Sequence, residues 1–504
     1  MDKNQFEKYN SIPKEKFALV NESNRLHDQK FDTKPVGYLK DAWRRFAKNK
    51  SSVAAMVIII IMFLYALIVP VISPFEVSDR DGRFRGTLPK LNIFAGTGFW
   101  DGTEKVEISQ ADYDYFNGIV TETGKEVISV IKRTVAYDEN LNPSYKYIVR
   151  RDTYLQFGVI LLNIDDGLYK EMQKYQDETG RQLFYPMITV NDNFMDSDGN
   201  YWFKTDRVGA AIYDEDGNYQ NKYLPYDGND QYTSKRIEGD TPLYKYAVRK
   251  QGNTWQCRIE YYEYFIYQNG VEPSFVFGTN LQGQDVFVCL ASGARFSFLL
   301  AIFISLLNLT IGAIYGAIEG YYGGAADMIM ERISDILSGV PFMIVVTLFK
   351  LHLADKVGPV VSLLFAFVLT GWIGMASTVR MQFYRYKNQE YVLAARTLGA
   401  RDWKIMWKHI FPNSLGTIVT SCVLVIPGVI FSESSLSYLG IINLETGGYT
   451  SVGTLLANSQ AALSTYPHVV FFPSLFIALL MISFNLFGNG LRDAFNPSLR
   501  GSEG

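Results

Sequence analysis

Long uncharged apolar runs alternate with charged stretches along this chain. Five runs, at 53–72, 296–318, 357–379, 413–432 and 469–491, are long enough to cross a bilayer as helices. A hydrocarbon core of about 30 Å takes roughly 20 residues at about 1.5 Å each. A sixth run, 336–349, holds 14 uncharged residues before Lys350 and fits a re-entrant helix as well as a span. Charge separates the two. Six Lys/Arg against one Asp in 34–50 put the N-terminus inside the cell, and 380–408 carries seven Lys/Arg against two acids. Only an even number of intervening spans leaves both basic stretches inside, as the positive-inside bias requires. The expected count is therefore six, with the third span extended to 336–354 and the fifth to 413–436. The first is expected to stay as an anchor, because its apolar core is longer than that of a cleaved signal peptide.

The segment 73–273, between the first two spans, then lies outside. From 76 to 272 it carries 32 Asp/Glu against 23 Lys/Arg, a formal −9 beside −3 for the whole chain. This acidic surface excludes nucleic acid as a partner. The mean hydropathy of +0.00 hides the division, since it averages apolar spans with this polar segment. Alternating aromatic and polar residues at 244–248 and 258–267 predict half-buried strands, and the Asp-Gly pairs at 198, 216 and 227 predict tight hairpins. The expectation is a β-rich domain. It has no internal disulfide, because Cys257 is its only cysteine; Cys289 and Cys422 belong to the membrane part.

Signals for chemistry fail on their spacing. Two Asp-rich stretches at 196–201 and 214–219 resemble half a calcium loop, but the twelfth position is Thr205 or Tyr223 instead of Glu. Gly118, Gly124 and Lys125 miss the phosphate-loop spacing by one residue, and Glu126 replaces the magnesium-binding hydroxyl. The four histidines, His27, His352, His409 and His468, have no metal-ligand spacing, and no G-x-S-x-G elbow occurs. The chain is thus expected to bind no metal or cofactor and to catalyse nothing itself.

One cytoplasmic stretch, QEYVLAARTLGARDWKIMWKHIFPN at 389–413, stands out. Strong helix formers precede Gly399, and a second helix follows until Pro412, so two short helices with a bend are expected. Trp403, Met406, Trp407 and Ile410 recur at helical spacing as an apolar stripe that must be buried. The membrane surface or the protein's own helices would serve that purpose as well as a partner.

The motif E-Y-V-x-A-A-R-x-x-G, with Ile405 and His409-Ile410-Phe411-Pro412-Asn413 after it, resembles the EAA loop of ABC-importer permeases in the oligopeptide/dipeptide/nickel group. Other segments resemble the C-type subunit of that group. They are 38–50 with the first span, Phe277-Gly278-Thr279 through Gly283 and Asp285, and Gly320-Tyr321-Tyr322-Gly323-Gly324 with Asp327, Arg332 and Asp335. Ser432-Glu433 through Gly440, and Gly488-Asn489-Gly490-Leu491-Arg492-Asp493, also match. Gln284 stands where the group has Arg, and its leading His is absent. The resemblance covers 34–72 and 274–500 and leaves 73–273 as an insertion.

It implies an α-helical polytopic membrane protein, a type I ABC-importer permease with six transmembrane helices, carrying a β-rich extracellular domain between helices one and two. The bacterial plasma membrane is the expected location. The cytoplasmic parts would be 1–52, the coupling loop 380–412 and the tail 492–504, with the permease core at 274–491. The implied partners are a second permease subunit, two cytoplasmic ATPases that hold ATP and magnesium, an extracellular peptide-binding lipoprotein, and the peptide itself. Within the loop, Glu390 and Arg396 would touch a groove on the ATPase, Ala394 and Ala395 would allow close approach, Gly399 would set the bend, and Ile405 belongs to the same motif.

Asn308, Glu433 and Asn485 place polar groups in or beside apolar runs, where they must face protein or water. All three are candidates for the translocation path. Glu433 could equally cap the turn at Ser434-Ser435, and the two asparagines could bond between helices. Pro341, Pro427 and Pro473 are expected to kink their helices. The reading is an oligopeptide importer subunit. Its rivals are a surface receptor or adhesin, and the same machine carrying dipeptides or nickel.

Overall fold

The computed structural model describes residues 38–137, 143–189, 197–225, 247–445 and 450–495. Helix α1 (Tyr38–Lys48) is amphipathic and is separated from the apolar α2 (Lys50–Ile72) by Asn49, whose side chain accepts the Ser52 N–H. An inserted domain follows. Its first sheet is antiparallel in the order β1-β3-β2, from β1 (Thr103–Ser109), β2 (Ile128–Tyr137) and β3 (Pro143–Asp152), with α3 (Gln110–Thr123) packed on it. The second sheet runs β4-β7-β5 with β6 also on β7, from β4 (Val159–Asp165), β5 (Phe184–Tyr185), β6 (Ala247–Gln251) and β7 (Thr254–Glu260), and carries α4 (Asp166–Thr179).

Among the described residues the domain mixes these two small sheets with helices. The aromatic stretch at 261–267, expected as a strand, is helix α5 (Tyr261–Asn269). Its alternation arises because Glu263 and Phe265 both point inward, the carboxylate being drawn in by Lys125 at 2.7 Å and Arg181 at 3.0 Å. One unit recurs three times: a seven-residue strand, a helix, and a left-handed glycine that ends it. Gly124, Gly180 and Gly270, at φ 72°, 71° and 71°, are those caps. The would-be phosphate loop is thereby explained as a helix and its cap. Asp216-Gly217 turns a hairpin closed by Tyr213 and Tyr219, whereas Gly199 lies against the Val159 carbonyl as a packed turn. Asp227-Gly228 falls outside the described residues. The two sheets are joined by Arg258, fully buried, which donates to Glu122 at 2.7 and 2.6 Å and to the carbonyls of Pro186 and Gly199.

Burial pushes the Glu260 carboxyl up to about 7, against the pull of Lys125 at 2.6 Å. Its folded value lies above the ordinary 4.5, so between these the folded domain keeps a proton that the unfolded chain has released. The contribution is fully present below pH 4.5 and is lost as pH rises through 7. Melting of the domain should therefore shift downward across this window, and Glu260→Gln should flatten the slope. An unchanged slope in that variant would assign the effect to another group.

The bundle continues with α6 (Val286–Tyr322), α7 (Gly324–Ser338), α8 (Phe342–Val357), α9 (Pro359–Gly371) and α10 (Ile373–Tyr386). The third expected span, 336–354, is a correction: α7 and α8 meet at a 73° bend. Pro341 has no N–H to donate and restricts Val340, so the helix cannot run through. Among the described residues, five helices have span length and composition, or six if the bent pair counts as one. Topology favours six. Gly312, Gly316 and Gly320 on α6 abut Trp372, Ala376 and Arg380 in rising order, so α6 and α9–α10 run parallel. The chain between them must return to the far side, and α7–α8 is the segment that carries it.

Helix α11 (Glu390–Thr397) leads to the short α12 (Asp402–Ile405), a π turn at Met406–Ile410, and α13 (Phe411–Tyr438). Then come α14 (Val452–Ser459) and α15 (Pro467–Phe495), with Pro427 inside α13 and Pro473 inside α15. The inserted domain is fastened to this bundle. Phe277 stacks on Phe472 of α15 at 4.0 Å and 8°, and Trp100 lies against Phe472 at 5.5 Å. The Thr279 N–H donates to the Thr87 carbonyl at 3.0 Å, and Gly86 packs under Tyr466.

Candidate coupling site

The stretch 389–413 forms an elbow. Gln389 is extended before α11, and Gly399 turns the chain at φ 77° after it. The N–H groups of Gly399 and Ala400 donate to the carbonyls of Arg396 and Ala395, both at 3.0 Å, which closes the helix end. Arg401 is extended again and starts α12. Pro412 does not end this second helix, contrary to expectation. A π turn precedes it, with the Phe411 N–H donating to the Met406 carbonyl. This wider turn makes room for the proline ring and drops the bond it could not form. Asp402–Tyr438 is therefore one continuous helix of 37 residues, joining the elbow rigidly to the membrane.

The apolar stripe divides between two surfaces. Met406 and Ile410 are buried with Ile405 and Val392 against Met375, Val379 and Phe383 of α10 and Ala313, Ala317 and Tyr321 of α6. Trp407 is half-buried. Trp403 stays 59% exposed and Leu398 88% exposed, and Tyr391 and Leu393 are open on α11. Of the motif residues, Glu390, Ala394, Arg396 and Gly399 are exposed, Ala395 is half-buried and Ile405 is buried. Ile405 thus holds the elbow to its own bundle. Arg396 lies over the Tyr321 ring at 5.5 Å and donates to its hydroxyl at 3.3 Å, while that hydroxyl donates to Asp402 at 2.6 Å. Tyr321 therefore clasps both arms of the elbow. Desolvation holds the Lys387 ammonium below its usual range despite nearby Asp327, and it donates to the Gly320 carbonyl at 2.9 Å.

Arg380 carries a network the sequence reading missed. Its guanidinium grips Asp327 at 2.6 and 3.0 Å and Glu331 at 2.8 and 2.9 Å, with Glu319 at 3.5 Å. The signal was present as a lone arginine ending the run 357–379, opposite three carboxylates near the end of another span. This network ties the end of α6 and the start of α7 to α10, directly above the elbow.

The three candidate path residues separate. Glu433 is 1% exposed and accepts hydroxyls from Ser451 at 2.6 Å, Ser437 at 3.0 Å, Ser297 at 3.4 Å and Ser434 at 3.5 Å, knitting α6, α13 and α14 together. Asn308 is buried against Gly371 of α9. Asn485 is exposed on α15 and donates to its own helix at Met481. The structure does not bring the three to one surface. Glu433→Ala strands four hydroxyls and should cost roughly 1–3 kcal/mol, while Glu433→Gln keeps an acceptor and should stay near the parent. Thermal melting of the purified subunit in detergent separates the two; equal losses would mean that the charge itself matters.

Comparison with known proteins bears directly on this geometry. Residues 308–501 match the family of binding-protein-dependent transport system inner membrane components, and residues 37–89 match the N-terminal transmembrane domain of oligopeptide transport permease C. The oligopeptide transport system permease protein OppC of Bacillus subtilis (strain 168) is 43% identical over 44% of this chain and 72% of its own length. The dipeptide transport system permease protein DppC of the same organism is 40% identical over 44% of this chain and 69% of its own length. A DppC of Lactococcus lactis subsp. cremoris is 37% identical over 52% of this chain and 74% of its own length. With these two family matches and relatives of 37–43% identity covered over 69–74% of their own length, the chain belongs to the binding-protein-dependent transport inner membrane components, in the C-type branch of oligopeptide and dipeptide permeases.

Proposed function

We propose that this subunit forms half of a translocation path for oligopeptides and is driven by separate ATPase subunits that grip its elbow. One observation carries the reading: Leu398 and Trp403 stand exposed on an elbow that runs without a break into a membrane helix. An apolar pair in water invites a partner, and a rigid helix transmits whatever that partner does. ATP and magnesium would belong to the partner subunits. The elbow lies at the same end of the bundle as the end of α6, and the inserted domain lies at the other end. The positive-inside bias then assigns the elbow to the cytoplasm and the domain to the exterior. In that arrangement a second permease subunit completes the path, and an external binding protein presents the cargo to the acidic domain. Family membership sets aside a receptor or adhesin role.

The dipeptide permease relatives favour a second reading with shorter cargo. Uptake of labelled peptides of two to ten residues by the reconstituted complex, with and without ATP, tests both readings. ATP-dependent uptake of the longer peptides is expected. Uptake confined to dipeptides selects the second reading, and no ATP-dependent uptake of any peptide overturns both.

A further inference from the structure

Helix α1 presents two unlike faces. Ala42 and Phe46 are buried, Phe46 meets Phe487 of α15 edge-on at 5.5 Å, and Gly490 lies close under Phe46 and Ser52. The Ser52 hydroxyl fastens the start of α2 to the Leu486 carbonyl at 3.0 Å. The opposite face carries Lys40, Trp43, Arg44 and Lys48, all exposed, at spacings that put them on one side of a helix. Trp43 is 57% exposed although it stacks on Phe46 at 5.7 Å. The one acid of the helix, Asp41, is engaged by Arg45 at 3.1 Å.

The depth of this helix is fixed by what it touches. Phe487 lies about 20 residues, or roughly 30 Å, from the start of α15, which is one hydrocarbon thickness. Lys50, which opens the span α2, follows α1 after a single residue. Both contacts put α1 at the boundary between hydrocarbon and water. We propose that the Lys40–Trp43–Arg44–Lys48 face is a binding surface for anionic phospholipid headgroups, with the indole seated among the upper acyl chains. A strip of three cations flanking an interfacial indole is chemistry that fits phosphodiester anions and gives no advantage to a zwitterionic headgroup. Because the buried face of α1 grips the ends of α2 and α15 together, a bound headgroup would brace that corner of the bundle.

The test uses the assembled transporter with a photoreactive benzoylphenylalanine replacing Trp43, reconstituted in vesicles of seven parts phosphatidylcholine to three parts phosphatidylglycerol. Illumination should give a phospholipid adduct enriched in phosphatidylglycerol about threefold or more over the bulk ratio. Combining it with Lys40→Gln, Arg44→Gln and Lys48→Gln, all exposed changes, should return the adducts to the bulk ratio. An adduct to another polypeptide, or phosphatidylglycerol at the bulk ratio in the unsubstituted face, overturns the proposal. Neither outcome depends on which peptide is carried.

Discussion

Gly399→Asp is expected to lower ATP-driven peptide uptake tenfold or more while leaving the subunit inserted and folded. Gly399 sits at φ 77°, and a Cβ built on it meets nothing within 4 Å. The left-handed conformation costs an ordinary residue about 1–2 kcal/mol, and Asp is among those that tolerate it best. The fold of this chain therefore has little reason to fail. What changes is the tip of the elbow, where a carboxylate would stand beside Leu398 on the surface that the proposed coupling buries against an ATPase. Burying that charge against an apolar groove is unfavourable unless a cation meets it. Hydrolysis should continue without transport. Uptake at the parental rate, with the variant present in the complex, would remove this elbow from the coupling route.

Gly316→Leu should abolish the folded bundle. A Cβ at Gly316 would lie 2.1 Å from the Ala376 carbonyl oxygen, and Cβ atoms at its neighbours on the same stripe, Gly312 and Gly320, would lie 2.8 and 2.7 Å from the carbonyl oxygens of Trp372 and Arg380. These contacts are with backbone, so no side chain can swing aside. Helix α10 would have to move off α6, which withdraws Arg380 from Glu319. Overpacking a core costs typically 1–3 kcal/mol, and a branched side chain on a backbone contact exceeds the usual case. Gly374→Leu, on α10 itself, is the control, since its Cβ meets nothing within 4 Å. The yield of monodisperse protein in detergent should collapse for the first and hold for the second; equal yields would mean that the two helices are not in close contact.

What could be read from the sequence followed from length and charge. Spans such as α2 and α15 announce themselves because a run of 20 or more apolar residues has few other uses, and the basic stretches supply the expected direction. The elbow's bend was readable at Gly399, because a glycine after helix formers has one common role. Elsewhere a local signal was overruled by its surroundings. Pro412 reads as a stop, yet a π turn lets the helix continue. The stripe from Trp403 to Ile410 reads as a single face, but Met406 and Ile410 turn to α6 and α10 while Trp403 stays exposed. The Tyr-rich stretch after Glu260 reads with period two because Glu263 is drawn inward by cations more than 80 residues away in sequence. Glu433 looked like a path residue because a carboxylate in an apolar run is costly. Of the four serines around it, Ser434 and Ser437 share its helix while Ser297 comes from α6 and Ser451 caps α14, and spacing along one helix cannot reveal the last two.

The stacked rings of Phe277 and Phe472 constrain how this machine can operate. They clip the start of α15 to the segment leading into α6, and Trp100 of the inserted domain wedges against the same phenylalanine. Were those two helices to slide past each other during a cycle, the stack would shear with every turnover. They must instead travel as one piece, and the 200-residue headpiece above must nod with them. A donor dye on that headpiece should then hold a constant distance from an acceptor beside Leu398 through every stroke, because Tyr321 ties the elbow to the same helix.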